Sequence, residues 1–358
     1  GNDQNSGSID APLASLYQAR EAVRSLIASF KPGEEQDIEV HLAAGTHHLN
    51  KTLVLDHRDS GSEQFKVTWK GTNAGDTVIS SGHPLAGWQK LEDEPAWFAD
   101  EARGRVWFID LPKDSRVTTL YGTDGLVPRA KGEAMIPQEL TPAEHEIPSH
   151  IYGPDAPIPI EKPYEKWKIE YSHTHFAFTE GAIADTPDLH EAECLIIPRN
   201  QWTMNILAVK TVDFDNNIVH LKEACTYPIG IPHCAPNGSI WLENSLSVLT
   251  PGSWVYHRES SRLYYCPTEN EPEKGLEATL LTEFIRVEGS NDEATGLLPV
   301  QQVHFEGITF TRSGRFSFHG LTGKGIQHDW EMHDAPSCMV RFRHVEKSSV
   351  THCRFVNA

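Results

Sequence analysis

"VHFEGITFTRSG" (303–314) and "SSVTHCRFVNA" (348–358) carry one pattern twice: Gly307-Ile308-Thr309-Phe310 aligns with His352-Cys353-Arg354-Phe355 at a separation of 45 residues. Apolar residues at alternate positions describe strands with one inward face. Repetition of such strands at a fixed offset describes the stacked rungs of a solenoid, and two coils of about twenty residues each would produce this spacing. "CMVRFRHV" (338–345) keeps the same rhythm. Two ordinary strands of a β-sandwich would share the alternation, so periodicity alone leaves both architectures open.

Working back toward the N-terminus, one helix stands out. Ser15 and Gln18 form a capping box, and Leu16, Ala19, Val23, Leu26, Ile27 and Phe30 recur at helical spacing until Lys31-Pro32-Gly33 stops them. The period then changes to two. "DIEVHL" puts Ile38, Val40 and Leu42 on one face, and "FKVTWK" does the same with Phe65, Val67 and Trp69. No helix of similar quality separates the strands that follow, which argues against a βαβ sheet. The texture changes between about 110 and 285. "ILAVKTVDFDNNIVHLKEA" reads as a hairpin turning at Asp215-Asn216-Asn217, and "GSWVYHRESSRLYYCP" as another turning near Glu259 to Ser261. The proline-rich stretch from Pro137 to Pro163 is too long for an idle connection. The expected organisation is a flexible tail (1–14), a capping helix with the first coils (15–110), an inserted antiparallel β-domain (111–285), and resumed, incomplete coils (286–358).

At 358 residues the chain can bury a large core, and its 23 prolines and 26 glycines describe an ordered, turn-rich protein. The formal charge of −19 argues against unspecific binding to nucleic acid or an anionic membrane. No apolar run approaches the length of a membrane span. Six cysteines show neither a C-x-x-C pair nor zinc-finger spacing, so disulfides and buried thiols both remain open.

"ASLYQAREAVRSL", "VHLAAGTHHLNKTLVLDHRDSGSEQFKVTWKG" and "VISSGHPLAGWQ" together resemble the start of bacterial right-handed parallel β-helix proteins that process polysaccharides. "WLENSLSVLTPGSWVYHRESSRLYYCP" and "VHFEGITF" are similar to that group's inserted β-domain hairpin and first regular rungs. Within the group, the chain resembles glycoside hydrolase families 141 and 120, which include fucosidases and xylosidases or xylanases. The resemblance implies an all-β fold: a right-handed parallel β-helix with an N-terminal capping helix and an inserted antiparallel β-domain. It also implies a polysaccharide or oligosaccharide partner, and a secreted, periplasmic or cell-surface location. "CRFVNA" falls in mid-coil, so the expectation is of a C-terminally truncated chain whose paired carboxylates could lie on later rungs.

"SFHGLTGKGIQHDWEMHDAP" (317–336) holds the densest group of carboxylates near the coils. Glycosidic hydrolysis needs two carboxyl groups across the scissile bond, one as acid and one as nucleophile or base. Asp329, Glu331 and Asp334 are the catalytic candidates. His319, Gln327, His328, Trp330 and His333 are candidates for contacting sugar, and a solvated loop is the plain alternative. Trp202 in the inserted domain could face the cleft. Arg341 and Arg343 alternate with Val340 and Phe342 and so point outward, where they could pair with a uronate or could simply be solvated. Lys324 with these arginines would suit a uronate lyase, and a noncatalytic carbohydrate-binding β-helix is the third reading. His328 and His333 lack helical spacing, and "HEIPSH" (145–150) misses a zinc motif by one residue. No cofactor is implied; calcium, held by oxygen ligands, is the one ion left open.

Overall fold

The computed structural model describes residues 1–113, 115–138, 173–199, 204–223, 225, 227, 229–231, 234–292, 294, 296–315 and 337–357. Leu16–Ser29 is the helix that the capping pattern predicts: the Ser15 hydroxyl accepts the Gln18 amide at 3.2 Å, and Phe30 closes the C-terminus. Its apolar stripe, including the buried Leu16 and Val23, joins the main hydrophobic core. Everything else of regular length among the described residues is strand.

Three parallel sheets carry the coils. In the first, Ile38–Leu42, Val67–Gly71, Val303–Glu306 and Ser349–Thr351 lie side by side. Gly45–His48, Thr77–Ser80, Thr309–Thr311 and Arg354–Val356 make the second, and Leu53–Leu55, Ile285–Glu288 and Val340–Arg343 the third. Each turn of chain contributes one strand to each sheet in the same order, so the inward residues stack in ladders. Trp69 faces Phe305, which faces Val350; Ile79 faces Phe310, which faces Phe355. The Phe310 and Phe355 rings are stacked with centroids 5.0 Å apart.

The 45-residue offset has its counterpart in the register: Thr309 pairs with Arg354 and Phe310 with Phe355. These strands are immediate neighbours, so the offset is one coil lengthened by the polar segment and not two short coils. The corners repeat with it. Gln302 and Lys347, Gly307 and His352, Arg312 and Asn357 all have φ between 49° and 68°. A left-handed residue turns the chain from one sheet to the next. At Gly71 a close approach adds to this, since a Cβ there would collide with the Gly307 carbonyl of the next rung.

Antiparallel pairing occupies the long stretch inside the second rung, between Thr77–Ser80 and Ile285–Glu288. Gly82–Pro84 and Leu120–Gly122 flank Glu277–Thr279, and Trp107–Asp110 pairs with the hairpin of Ser253–His257 and Arg262–Cys266. A five-stranded sheet contains His175–Ala177, Glu193–Ile196, Asn205–Asp213, Ile218–Leu221 and Ile240–Glu243. Both expected hairpins are present, the first turning through a left-handed Asn217. This region owns three apolar clusters apart from that of the coils. Cys194, Cys225 and Cys266 are buried.

Both features of the ladder are open to test. Phe310→Ala should cost about 3–5 kcal/mol by removing a buried ring, and Gly71→Ala about 1–3 kcal/mol by overpacking two rungs. Urea unfolding measures both, and a neutral Gly71→Ala would contradict the close contact with Gly307.

Candidate active site

Two excursions leave the coils at one corner. In the second rung the chain passes from Thr77–Ser80 into the antiparallel region and returns at Ile285–Glu288; in the third it passes from Thr309–Thr311 into residues 316–336 and returns at Val340–Arg343. Each runs from the second parallel sheet to the third. Their described ends touch. The Gly314 amide donates to the Leu281 carbonyl at 2.7 Å, and the Phe284 amide donates to the Met339 carbonyl at 2.8 Å. Residues 281–284 therefore hold both ends of the polar segment at the point where the inserted region rejoins the coils. Further bonds seal the corner: the Ser81 hydroxyl donates to the Arg312 carbonyl at 2.7 Å, and the Tyr121 hydroxyl to that of Asn357 at 2.8 Å.

Of the residues singled out from sequence, Asp329, Glu331, Asp334, His319, Gln327, His328, Trp330, His333 and Trp202 lie outside the described residues. Arg341 and Arg343 do point outward from the third parallel sheet. Arg341 Nη1 lies 4.0 Å from Glu283 Oε1, and Arg343 Nη1 lies 3.5 Å from Glu288 Oε1. Glu283 is buried and also accepts Arg286 Nη2 at 2.6 Å. Arg343 borders a cavity of about 480 Å³ with Asp56, His57, Glu288 and His344.

A charged cluster unseen in the sequence lies where the polar segment begins. Glu193 and Glu243 are direct register partners on adjacent antiparallel strands. Two guanidinium groups bridge them. Arg129 Nη1 bonds Glu193 Oε2 and lies 3.9 Å from Glu243 Oε2; Arg315 Nη2 donates to Glu193 Oε2 at 2.9 Å, while its Nη1 lies 3.9 Å from Glu243 Oε2. Arg129 Nε also donates to Asn244 Oδ1 at 3.2 Å. Like charges directly across a strand pair repel, so the two arginines make the arrangement tenable. The Glu193 side chain is 3% exposed and that of Arg315 29% exposed. Arg315 comes from the coils and the other three from the inserted region, so the cluster fastens the start of the polar segment to its neighbour. Its amide adds a bond to Thr119 Oγ1 at 2.7 Å.

Burial raises the Glu243 carboxyl above the ordinary glutamate range, with Arg129 and Arg315 opposing. Burial likewise lowers the Arg129 guanidinium, against the pull of Glu193. The sequence offered one faint signal for the cluster, a glutamate bordering each of the apolar runs "ECLII" and "IWLE". Among the described residues, His190, Glu191 and Glu259 bring ligand atoms within 4.8 Å of one another, but Glu191 Oε1 already accepts the Glu259 amide at 2.7 Å.

No protein-family model matches the sequence, and no curated protein matches it. Among solved structures, one described as "Glycoside hydrolase" shares the fold with a TM-score of 0.62 and 19% identity, over 91% of this chain and 51% of that one. The chain thus spans about half of that protein's length. "The complex structure of XylC with xylose" aligns with a TM-score of 0.31 and 12% identity, over 87% of this chain and 34% of that one, a likeness too low to carry weight. The first likeness is one of fold. No described helix is long and apolar enough to cross a membrane.

The corner cluster makes two predictions. Arg129→Met removes the more deeply buried of the two guanidinium groups that bridge Glu193 and Glu243 and should cost about 3–5 kcal/mol, whereas Arg315→Met removes one more exposed charged hydrogen bond and should cost about 1.5–3 kcal/mol. Denaturant unfolding ranks them, and equal losses would contradict the geometry. The second concerns pH. With its pKa raised on folding, Glu243 keeps a proton that the unfolded chain has released, so its contribution to stability falls as pH rises from the ordinary glutamate pKa to the raised one. Glu243→Gln should abolish that part of the slope in unfolding measured across the acidic range; an unchanged slope would show another group at work.

Proposed function

We propose that this chain is a right-handed parallel β-helix of the polysaccharide-processing kind that cleaves glycosidic bonds by hydrolysis, with a carboxylate pair drawn from Asp329, Glu331 and Asp334. The observation that carries this reading is the shared corner: the carboxylate-rich segment is anchored where the inserted β-region rejoins the coils. A cleft between a rung and an inserted wall is the kind of concave site in which a saccharide can be held. His319, Gln327, His328, Trp330, His333 and, from the wall, Trp202 would contact the sugar, with Arg341 and Arg343 on the coil face beside it. The fold shared with a glycoside hydrolase structure supports the same reading.

One carboxyl group, kept protonated, would give its proton to the leaving oxygen, and the other would attack the anomeric carbon or activate water. This chemistry needs no cofactor; calcium would enter only as a structural ion. The proposed organisation keeps the tail at 1–14, the helix and first coils over 15–110, the inserted domain over 111–285 and the resumed coils from 286, with antiparallel pairing reaching back to Gly82. A secreted, periplasmic or cell-surface location fits an extracellular glycan. The uronate-lyase reading is disfavoured, because Glu283 and Glu288 stand beside the arginines that would have to neutralise a uronate.

Incubation with a panel of plant and microbial polysaccharides should release reducing ends without an ultraviolet-absorbing unsaturated product. Asp329→Asn, Glu331→Gln and Asp334→Asn are the variants to compare. Loss of either member of the pair should lower kcat about a hundred- to ten-thousandfold while glycan binding persists. Unchanged turnover in all three would remove this segment from the chemistry, and an unsaturated product would make the protein a lyase.

A further inference from the structure

Glu191 ends the short helical turn Leu189–Glu191, and Glu259 sits in the turn of the hairpin formed by Ser253–His257 and Arg262–Cys266. An oxygen of each and a ring nitrogen of His190 all lie within 4.8 Å of one another. Where Glu193 and Glu243 come together, two guanidinium groups bridge them. Here, among the described residues, no lysine or arginine nitrogen comes within 4.0 Å of either carboxylate. His190 Nε2 lies 3.4 Å from Glu259 Oε2 instead.

The histidine is oriented from outside the cluster. Its Nδ1 lies 2.8 Å from the Pro187 carbonyl oxygen. A carbonyl can only accept, so Nδ1 carries a proton, and in the neutral ring Nε2 then presents its lone pair. That lone pair faces a carboxylate oxygen, which is repulsive unless a proton or a metal ion stands between them. A bond from the far ring nitrogen to a carbonyl is the usual support of a metal-ligating histidine. The two backbones are also held at a fixed spacing. The buried Asn244 side chain donates to the Glu191 and Tyr256 carbonyls, each at 2.9 Å. The Glu259 amide donates to Glu191 Oε1 at 2.7 Å, and one accepted bond leaves that carboxylate lone pairs to spare.

We propose that His190, Glu191 and Glu259 bind a divalent ion of the zinc class, with water in the remaining position. An imidazole nitrogen beside carboxylate oxygens is a ligand set for such ions, whereas calcium and magnesium favour oxygen alone. Tetrahedral zinc, with bonds of about 2.0–2.1 Å, sets its ligands about 3.4 Å apart. His190 Nε2 and Glu259 Oε2 already have that spacing. A small shift of the Glu191 side chain brings in the third ligand. The ion pins the hairpin to the helical turn and neutralises the carboxylate pair. The inference does not depend on the polar segment being catalytic. His41 and Glu39 provide an internal contrast: their Nε2 and Oε2 are 3.0 Å apart, but Lys70 Nζ lies 3.6 Å from Glu39 Oε1, and among the described residues no third ligand joins them.

Calorimetric titration of the metal-stripped full chain with Zn2+, beside thermal unfolding with and without it, tests the site. Zn2+ should bind and raise the Tm, and Ca2+ or Mg2+ at equal concentration should do neither. His190 and Glu259 are exposed, so their variants should fold. His190→Ala and Glu259→Gln should each weaken binding about tenfold or more and remove the rise in Tm, while His41→Ala should keep both. Absence of Zn2+ binding, an equal response to Ca2+, or full affinity in both variants would overturn the assignment. In the last case the ion sits elsewhere in the chain, and the hydrolase reading stands or falls separately.

Discussion

Val67 lies directly beside Val303, and Trp69 beside Phe305, although more than two hundred residues separate each pair in the chain. That parallel register is the constraint on which the rest depends. It makes the second and third rungs neighbours and sends the chain between Ser80 and Ile285 out through one corner. The polar segment leaves from the same corner one rung later. Where the polar segment begins, Arg315 meets the inserted region in the cluster with Glu193, Glu243 and Arg129.

So large an interruption is physically tolerable for two reasons. Loop-closure entropy grows only logarithmically, so each doubling of an excursion costs about 0.6 kcal/mol. The antiparallel region also brings its own apolar clusters, around Phe176 and Val219 and around Trp254 and Leu263, so its ordering is not a charge on the coil core. The coils in turn gain from stacking alone. Each rung covers the ladder of the one before, which is why Phe310 in the third rung is fully buried while its stacked partner Phe355 in the last described rung is 48% exposed.

How much of this could be read from sequence follows from how local each signal is. The helix was legible because Ser15 and Gln18 sit three residues apart, and the hairpins because Asp215-Asn216-Asn217 and Glu259–Ser261 are contiguous turns. The pairing of Phe310 with Phe355 was legible as an offset, but its reading as two coils erred because nothing local distinguishes a lengthened coil from two short ones. The corner itself was invisible, since it is defined by strands in rungs separated by the whole insertion. Glu193 and Glu243 were missed for the same reason: they meet only across a strand pair, and each alone is an ordinary glutamate. Arg341 and Arg343 were placed on the outward face by alternation, yet their carboxylate neighbours come from the preceding rung, which sequence spacing does not reveal.

Because Leu281 and Phe284 grip the two ends of the polar segment, those anchor points are at most about 10 Å apart. Residues 316–336 can therefore be replaced by a short Gly-Ser linker without asking the coils to move. The decisive measurement is glycan cleavage by this short-circuited chain beside the intact one, with circular dichroism and thermal unfolding to verify the fold. The account predicts an intact chain that releases reducing ends and a short-circuited chain that folds but releases none. A folded, short-circuited chain that cleaves at the intact rate would contradict it.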